Sequence, residues 1–263
     1  LLGSRGLGDV YKRQILLFKY FLQEETKKKW LNLNVFFLVQ FAVLYHKKLM
    51  KLISLISIVV FSTVNAQSFS VARVHYGGGG DWYSDPSSIP NLLTYLEENT
   101  PVSTVNEDTH IKLTDKEINQ YPYLYITGHG NIRLTENEVI SLRSILMNNG
   151  FLHADDNYGL DASFRRELKR VFPNKELVPL PNDHPIFHSY YSFPNGLPKV
   201  HEHDGKPPQA LALFDEGRMI VLYTYESDLG DGWEDASVHE DPWPIREAAL
   251  QMGVNIIYYS LTQ

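Results

Sequence analysis

The chain has no cysteine among its 263 residues. Disulfides, thiolate nucleophiles, cysteine-ligated metals and a lipidated-cysteine anchor are therefore excluded. Methionine is scarce, with four in all, and the first is Met50. The segment ahead of it opens LLGSRGLGDVYKRQ, which reads as translated linker or library sequence, so residues 1–49 are expected to lie outside the folded domain. A long apolar run is also missing. Residues 52–61 are only ten, where a bilayer-spanning helix needs about 20.

Those ten residues have a different reading. Lys47, Lys48 and Lys51 precede them, and Val64-Asn65-Ala66 follow, the succession of a secretory signal cleaved before Gln67. The expected organisation is a signal peptide over residues 50–66 and one domain over residues 67–263, exported to the periplasm or the extracellular space, with no membrane span in the mature chain. Basic residues are few in that domain: 14 Lys and Arg stand against 28 Asp and Glu, a net charge of −14. Such acidity argues against a nucleic-acid partner. A chain of this size without disulfides depends on core packing.

Strand and helix signals alternate. Residues 69–76 form a β-rich run ending at four glycines, Gly77 to Gly80, and Ile89, Leu92, Leu93 and Leu96 then recur at helical spacing. Residues 102–105 read as a short strand, and Thr114 with Glu117 as a capping box. Residues 123–127 form an uninterrupted strand stopped by Gly128-His129-Gly130. Thr135 and Glu138 cap the next helix, which ends at Asn149-Gly150. Residues 151–154 are the next strand, and Ser163 opens an amphipathic helix. Residues 173–208, rich in Pro, His and Asn, are a long excursion from the core. Residues 209–214 and 218–224 form a hairpin, residues 225–244 an acidic loop, and a helix stopped by Gly253 leads into a last strand over residues 254–261. The expected fold is a three-layer α/β sandwich with a mostly parallel sheet and an antiparallel hairpin.

In such sheets ligands bind beyond the carboxyl ends of the strands. His129, between glycines, suits a proton shuttle, a metal ligand or an anion contact, or else it caps a turn. Asp155 and Asp156 at a strand end offer a base, a nucleophile or a metal ligand, or else a helix cap. Gly78 and Gly79 with Asp81 and Trp82 form a loop able to cradle an oxyanion or merely to pack closely. Gly128, Gly130, Asn131 and Tyr158 complete that rim. His201 and His203, at i and i+2, are candidate metal ligands if the segment is extended, and otherwise belong to a solvated loop. His184 and His188 flank Pro185 and read as a helix start. Trp82, Tyr83, Tyr158, Tyr190, Tyr191, Trp233 and Trp243 can line a cleft. Asp228, Asp231, Glu234 and Asp235 beside Trp233 are candidate Ca²⁺ ligands, and Asp228 and Trp233 candidate ligand-binding residues, although DLGDGWED lacks the regular ligand spacing of an EF-hand.

The segments YLYITGHGNIRLTENEVISLRSILMNNGFLHADDNYG and GVNIIYYSLT resemble the bacterial domain of unknown function 4159 family, over residues 69–263. The resemblance implies a class I glutamine amidotransferase-like, flavodoxin-like fold, related to the ThuA-like branch. It places Gly128-His129-Gly130 at the oxyanion segment and Asp155-Asp156 at the position of the nucleophilic cysteine. Without cysteine, thioester chemistry with glutamine cannot operate. The expected function is thus an exported domain binding a small polar ligand around His129, Asp155, Asp156 and the glycine loop, with its cofactor unspecified. The alternatives are a hydrolase using His129 and Asp155 or Asp156, metal-assisted or not, on a polar or saccharide substrate, and a module contacting an envelope protein through residues 173–208.

Overall fold

The structure, a computed structural model, describes residues 6–62 and 68–263. The chain divides into two units, Leu1–Ala66 and Gln67–Gln263. The first contains one helix, α1 (Gly6–Ser62). The expected cleavage sequence Val64-Asn65-Ala66 lies outside the described residues. Among the described residues no helix is long and apolar enough to cross a membrane.

The second unit runs β1 (Ala72–Val74), α2 (Ser88–Asn99), β2 (Thr109–Ile111), β3 (Tyr123–Ile126), α3 (Glu136–Met147), β4 (Phe151–Asp155), α4 (Asp161–Val171), β5 (Val178–Pro179), β6 (Gln209–Asp215), β7 (Arg218–Tyr225), α5 (Leu229–Trp233), α6 (Ala236–His239) and α7 (Trp243–Thr262). The strands form one sheet in the order β2-β1-β3-β4-β7-β6-β5. The first five in that order are mutually parallel; β6 runs antiparallel to β7, and β5 antiparallel to β6. The architecture is therefore α/β with a mostly parallel sheet and an antiparallel hairpin.

Strand alternation divides the core in two. Leu124, Ile126, Leu152 and Ala154 face one cluster with Val139, Leu142, Phe164 and Leu168 of α3 and α4. Tyr123, Tyr125 and Phe151 face another with Leu92, Leu93, Leu250 and Val254 of α2 and α7. Period 2 in a strand sends neighbouring side chains to opposite faces, which produces the three layers. The capping box on α3 is present: Glu138 N–H donates to the Thr135 hydroxyl, and the Glu138 carboxylate accepts from Thr135 N–H. Such a cap stabilises a helix by about 1 kcal/mol.

Three local expectations are corrected. Residues 102–105 contribute only a single bridge, Phe69 to Thr104, and the edge strand is β2 instead. Thr114 and Glu117 do not form a capping box; a short 3-10 turn, Ile118–Gln120, follows. Residues 254–261 are not a strand, because α7 passes through Gly253 without interruption. The excursion over residues 173–208 is anchored to that helix. Ile186 and Phe187 are buried, and the Asn255 side chain bonds Tyr190 N–H, Tyr191 N–H and the Tyr191 carbonyl. His184 caps the 3-10 turn at Pro185–His188, as a helix start should.

Gly253 is a contact point rather than a stop. A Cβ there would lie 2.5 Å from Leu92 Cδ1 and 3.0 Å from Trp233 Cζ2. On an exposed helix Gly→Ala gains about 1 kcal/mol. Here Gly253→Ala is expected to destabilise by roughly 1–3 kcal/mol, because the rigid indole cannot retreat. Thermal melts check the sign.

Candidate functional site

The carboxyl ends of β1, β3, β4 and β7 lie along one edge, and the segments leaving them carry the polar residues. Two backbone loops pack first. Gly80 N–H donates to the Asn131 carbonyl at 3.0 Å, and Arg133 N–H to the Gly77 carbonyl at 2.8 Å. A Cβ on Gly78 would meet Arg133 N at 2.5 Å, and one on Gly128 would meet Asp81 O at 2.7 Å. Gly78, Gly79, Gly128 and Gly130 also adopt positive φ. The glycines thus permit two loops to touch, the packing alternative for this segment.

Asp81 receives the His129 N–H, and its Oδ2 lies 3.1 Å from His129 Nδ1. The imidazole is half exposed and oriented by that carboxylate. Asn131 bridges the Gly78 carbonyl and Arg166. Trp82 stacks on His75 at 4.1 Å. A groove of about 800 Å³ opens beside these loops, lined by Gly77, Gly78, Asn131, Arg133, Arg166 and Arg170 among others. Arg166 and Arg170 there are already bonded to Glu167 and to loop carbonyls.

The ends of β4 and β7 build a different environment. Asp155 is fully buried, accepting from the Thr224 hydroxyl and from Gly230 N–H at 2.7 Å. Asp156 accepts from Leu160 N–H at 3.1 Å and so stabilises the turn into α4. β3 and β4 are adjacent and in register, as the two βα units require. Even so, His129 points to Asp81 and the two aspartates point to β7 and α4. Trp233 is not a cleft aromatic: it is buried, with its Nε1 donating to the Ala249 carbonyl. Tyr158 is exposed, at positive φ, and stacks on His203 with ring centroids 5.5 Å apart.

Asp85 is buried and its Oδ2 accepts from Asn157 Nδ2 at 2.7 Å. The same amide lies 3.4 Å from Asp231 Oδ1. Asp228 Oδ2 lies 3.0 Å from His203 Nε2 and 3.4 Å from His201 Nδ1. His201 Nδ1 also lies 2.9 Å from Asp231 Oδ2, and its Nε2 lies 3.0 Å from Asp241 Oδ2. His239 Nε2 lies 3.5 Å from Asp231 Oδ1 and 3.2 Å from Glu234 Oε2. His201, Asp231 and His239 each bring one donor atom within 4.8 Å of the others, the spacing of a ligand set. His203 approaches Asp228 but is not part of that trio. The sequence signalled His201, His203, Asp228 and Asp231. It gave no motif for Asp85, Asn157 or the neighbouring pair His239 and Asp241, which arrive from three separate segments of the chain.

Three buried polar atoms here make no hydrogen bond, Asp228 Oδ1, the Tyr125 hydroxyl and His203 Nε2, the last of them at ion-pair distance from Asp228 Oδ2. Gly230 packs against Asp85, Tyr125 and Asp155: a Cβ on it would meet Asp85 Oδ2 at 2.8 Å and Tyr125 OH at 2.9 Å. Among the described residues, the ion pairs of Asp228, Asp231, Asp241 and Glu234 are all with histidines. Burial, then the nearby Asp228 charge, pushes the Asp155 carboxyl up to about 8. Burial, with Asp228 and Asp85, pushes Asp231 up to about 9. For Asp228 burial acts upward too, but His201 and His203 hold it below the ordinary carboxylate range. The bond to Asp228 raises His201 to about 9. Burial alone lowers His153, beside Thr224, to about 3.

The Asp155 shift has a measurable consequence. A carboxyl whose folded value is raised keeps a proton that the unfolded chain releases, so the native state loses stability as pH rises from about 4 to about 8. Asp155→Asn cannot ionise. Its amide can serve Thr224 while its oxygen still accepts from Gly230. The melting temperature of the variant relative to wild type is expected to rise by roughly 5 °C or more between about pH 5 and about pH 8. A pH-independent difference would contradict the burial argument.

No curated protein sequence matches the chain. Residues 70–261 match the family described as Domain of unknown function (DUF4159), and with most of its length covered the chain belongs to that family.

Proposed function

We propose that the protein is an exported ligand-binding domain whose ligand sits among Asp85, Tyr125, Asn157, His201, Asp228 and Asp231. One observation carries the reading. A buried carboxylate oxygen and a buried phenol without hydrogen-bond partners, Asp228 Oδ1 and Tyr125 OH, adjoin Asp228 and Asp231, whose ion pairs among the described residues are with histidines and not with Lys or Arg. An unsatisfied buried polar group costs about 1–3 kcal/mol and persists where a further partner completes it. The ligand is accordingly small and polar, donating hydrogen bonds or carrying positive charge. Backbone strain supports the same location, since Asp85, Tyr158, Glu226 and Asp228 all have positive φ.

The layering further supports a class I glutamine amidotransferase-like arrangement, with Gly128-His129-Gly130 after β3 and Asp155 closing the neighbouring β4. A hydrolase is the second reading. The Asp81 contact favours it, because a carboxylate on Nδ1 orients an exposed imidazole for proton transfer.

If the cluster is built for a ligand, relieving its repulsion should stabilise the ligand-free protein. Asp85→Asn suits the test: Asn tolerates left-handed backbone, its oxygen still accepts from Asn157, and Arg73 bonds the Asp85 carbonyl rather than its carboxylate. A rise in melting temperature of roughly 3 °C is expected, with Tyr125→Phe neutral or stabilising. Loss of stability in both variants would mean that the groups are structural. For export, mass spectrometry of secreted protein is expected to find a chain beginning at Gln67, and a mass retaining residues 50–66 contradicts cleavage.

A further inference from the structure

We propose that His201, Asp231 and His239 hold one divalent transition-metal ion, an assignment that rests on the ligand-binding reading and gives its ligand a chemical class. The separations fit. Tetrahedral bonds of about 2.0–2.1 Å place donor atoms about 3.3 Å apart. His201 Nδ1 stands 2.9 Å from Asp231 Oδ2, and His239 Nε2 stands 3.5 Å from Asp231 Oδ1. One donor atom from each of the three residues lies within 4.8 Å of the others, so an ion seated among them would take over these contacts. The ring centroids are 5.0 Å apart.

Two observations beyond the trio point to a cation. Asp241 Oδ2 lies 3.0 Å from His201 Nε2. A carboxylate accepting from the far Nε2–H leaves the Nδ1 lone pair for a metal once that nitrogen is deprotonated, the arrangement that metal-bound histidines recurrently use. Asp228, almost entirely buried, has one oxygen 3.4 Å from the same Nδ1 and its other oxygen unpartnered. A cation at the trio would compensate that charge and give the free oxygen an electrostatic partner. His239 is partly exposed, so solvent can reach the trio. Two imidazoles with one carboxylate favour Zn²⁺ or a similar first-row ion over Ca²⁺ or Mg²⁺, which prefer oxygen ligands alone.

The experiment is equilibrium dialysis of the full chain against Zn²⁺ alone, followed by elemental analysis, with Co²⁺ as a spectroscopic replacement. About one Zn²⁺ per chain is expected, together with visible Co²⁺ bands of a low-coordination site. Asp241→Asn should weaken binding about 10–100-fold, and His239→Ala by at least as much, with unchanged circular dichroism. No Zn²⁺ uptake by wild type, or equal uptake by folded His239→Ala, overturns the assignment. The two readings fail separately. If Zn²⁺ does not bind while Asp85→Asn still raises the melting temperature, the metal falls and the polar-ligand reading stands. If Zn²⁺ binds and depends on His239 while Asp85→Asn destabilises, the metal stands and the repulsion argument falls.

Discussion

Burial of like charges without a buried counter-charge governs the carboxyl edge of this sheet. Asp85, Asp155, Asp228 and Asp231 crowd the ends of β4 and β7, while the nearest buried cation, Arg73, is committed elsewhere. It donates through Nε to Asp108 and through its other two nitrogens to the carbonyls of Ser84 and Asp85 and the hydroxyl of Ser88. The guanidinium therefore fixes the loop carrying Asp85 and makes no hydrogen bond or ion pair with the four carboxylates, its charge only partly offsetting the burial of Asp85. These depend on neutral donors, Asn157, Thr224 and the Gly230 N–H, and on histidines. Removing a carboxylate from water costs several kcal/mol, so such a set persists by holding protons or by meeting a cation.

The sheet makes this crowding possible and also makes it sensitive to register. Asp155 pairs with Thr224 across β4 and β7, and Ala154 pairs with Tyr223. Ala154 faces the α3 and α4 layer, so Asp155 shares the opposite face with His153, Tyr125 and Trp233. A one-residue slip of β4 would exchange those faces and bury the acid among the aliphatic side chains of α3 and α4. The fully buried rings of Trp233 and Tyr125 pack against His153 of β4 on that face.

What the sequence revealed follows how local each signal was. The capping box at Thr135, the strand over residues 123–127 and the hairpin around Gly217 depend on residues close in the chain, and all three are present. The end of α7 was misread because a helix buried on several sides loses its 3.6 periodicity, and NIIYYS is then indistinguishable from a strand. β2 was missed because three residues, Thr109–Ile111, show no alternation to recognise. Of the ligand set, His201 and Asp231 were visible as an unusual pair and an acidic loop. His239 and Asp241 join them only because α5 and α6 fold back, a tertiary fact with no local signature.

The end of β4 is where an open α/β sheet ordinarily presents a group to its ligand. Here that place is sealed: Asp155 is buried against Thr224 and Gly230, and Asp156 is used by the turn into α4. The solvent-reachable donors instead come from either side of the hairpin, His201 from the segment before β6 and Asp231 and His239 from the short helices after β7. Asp155 then contributes by position, holding Gly230 and with it the short helix that carries Asp231. A change at the strand end is felt at the donors through one backbone hydrogen bond, so the rigid sheet sets the geometry of a site assembled almost entirely from loops.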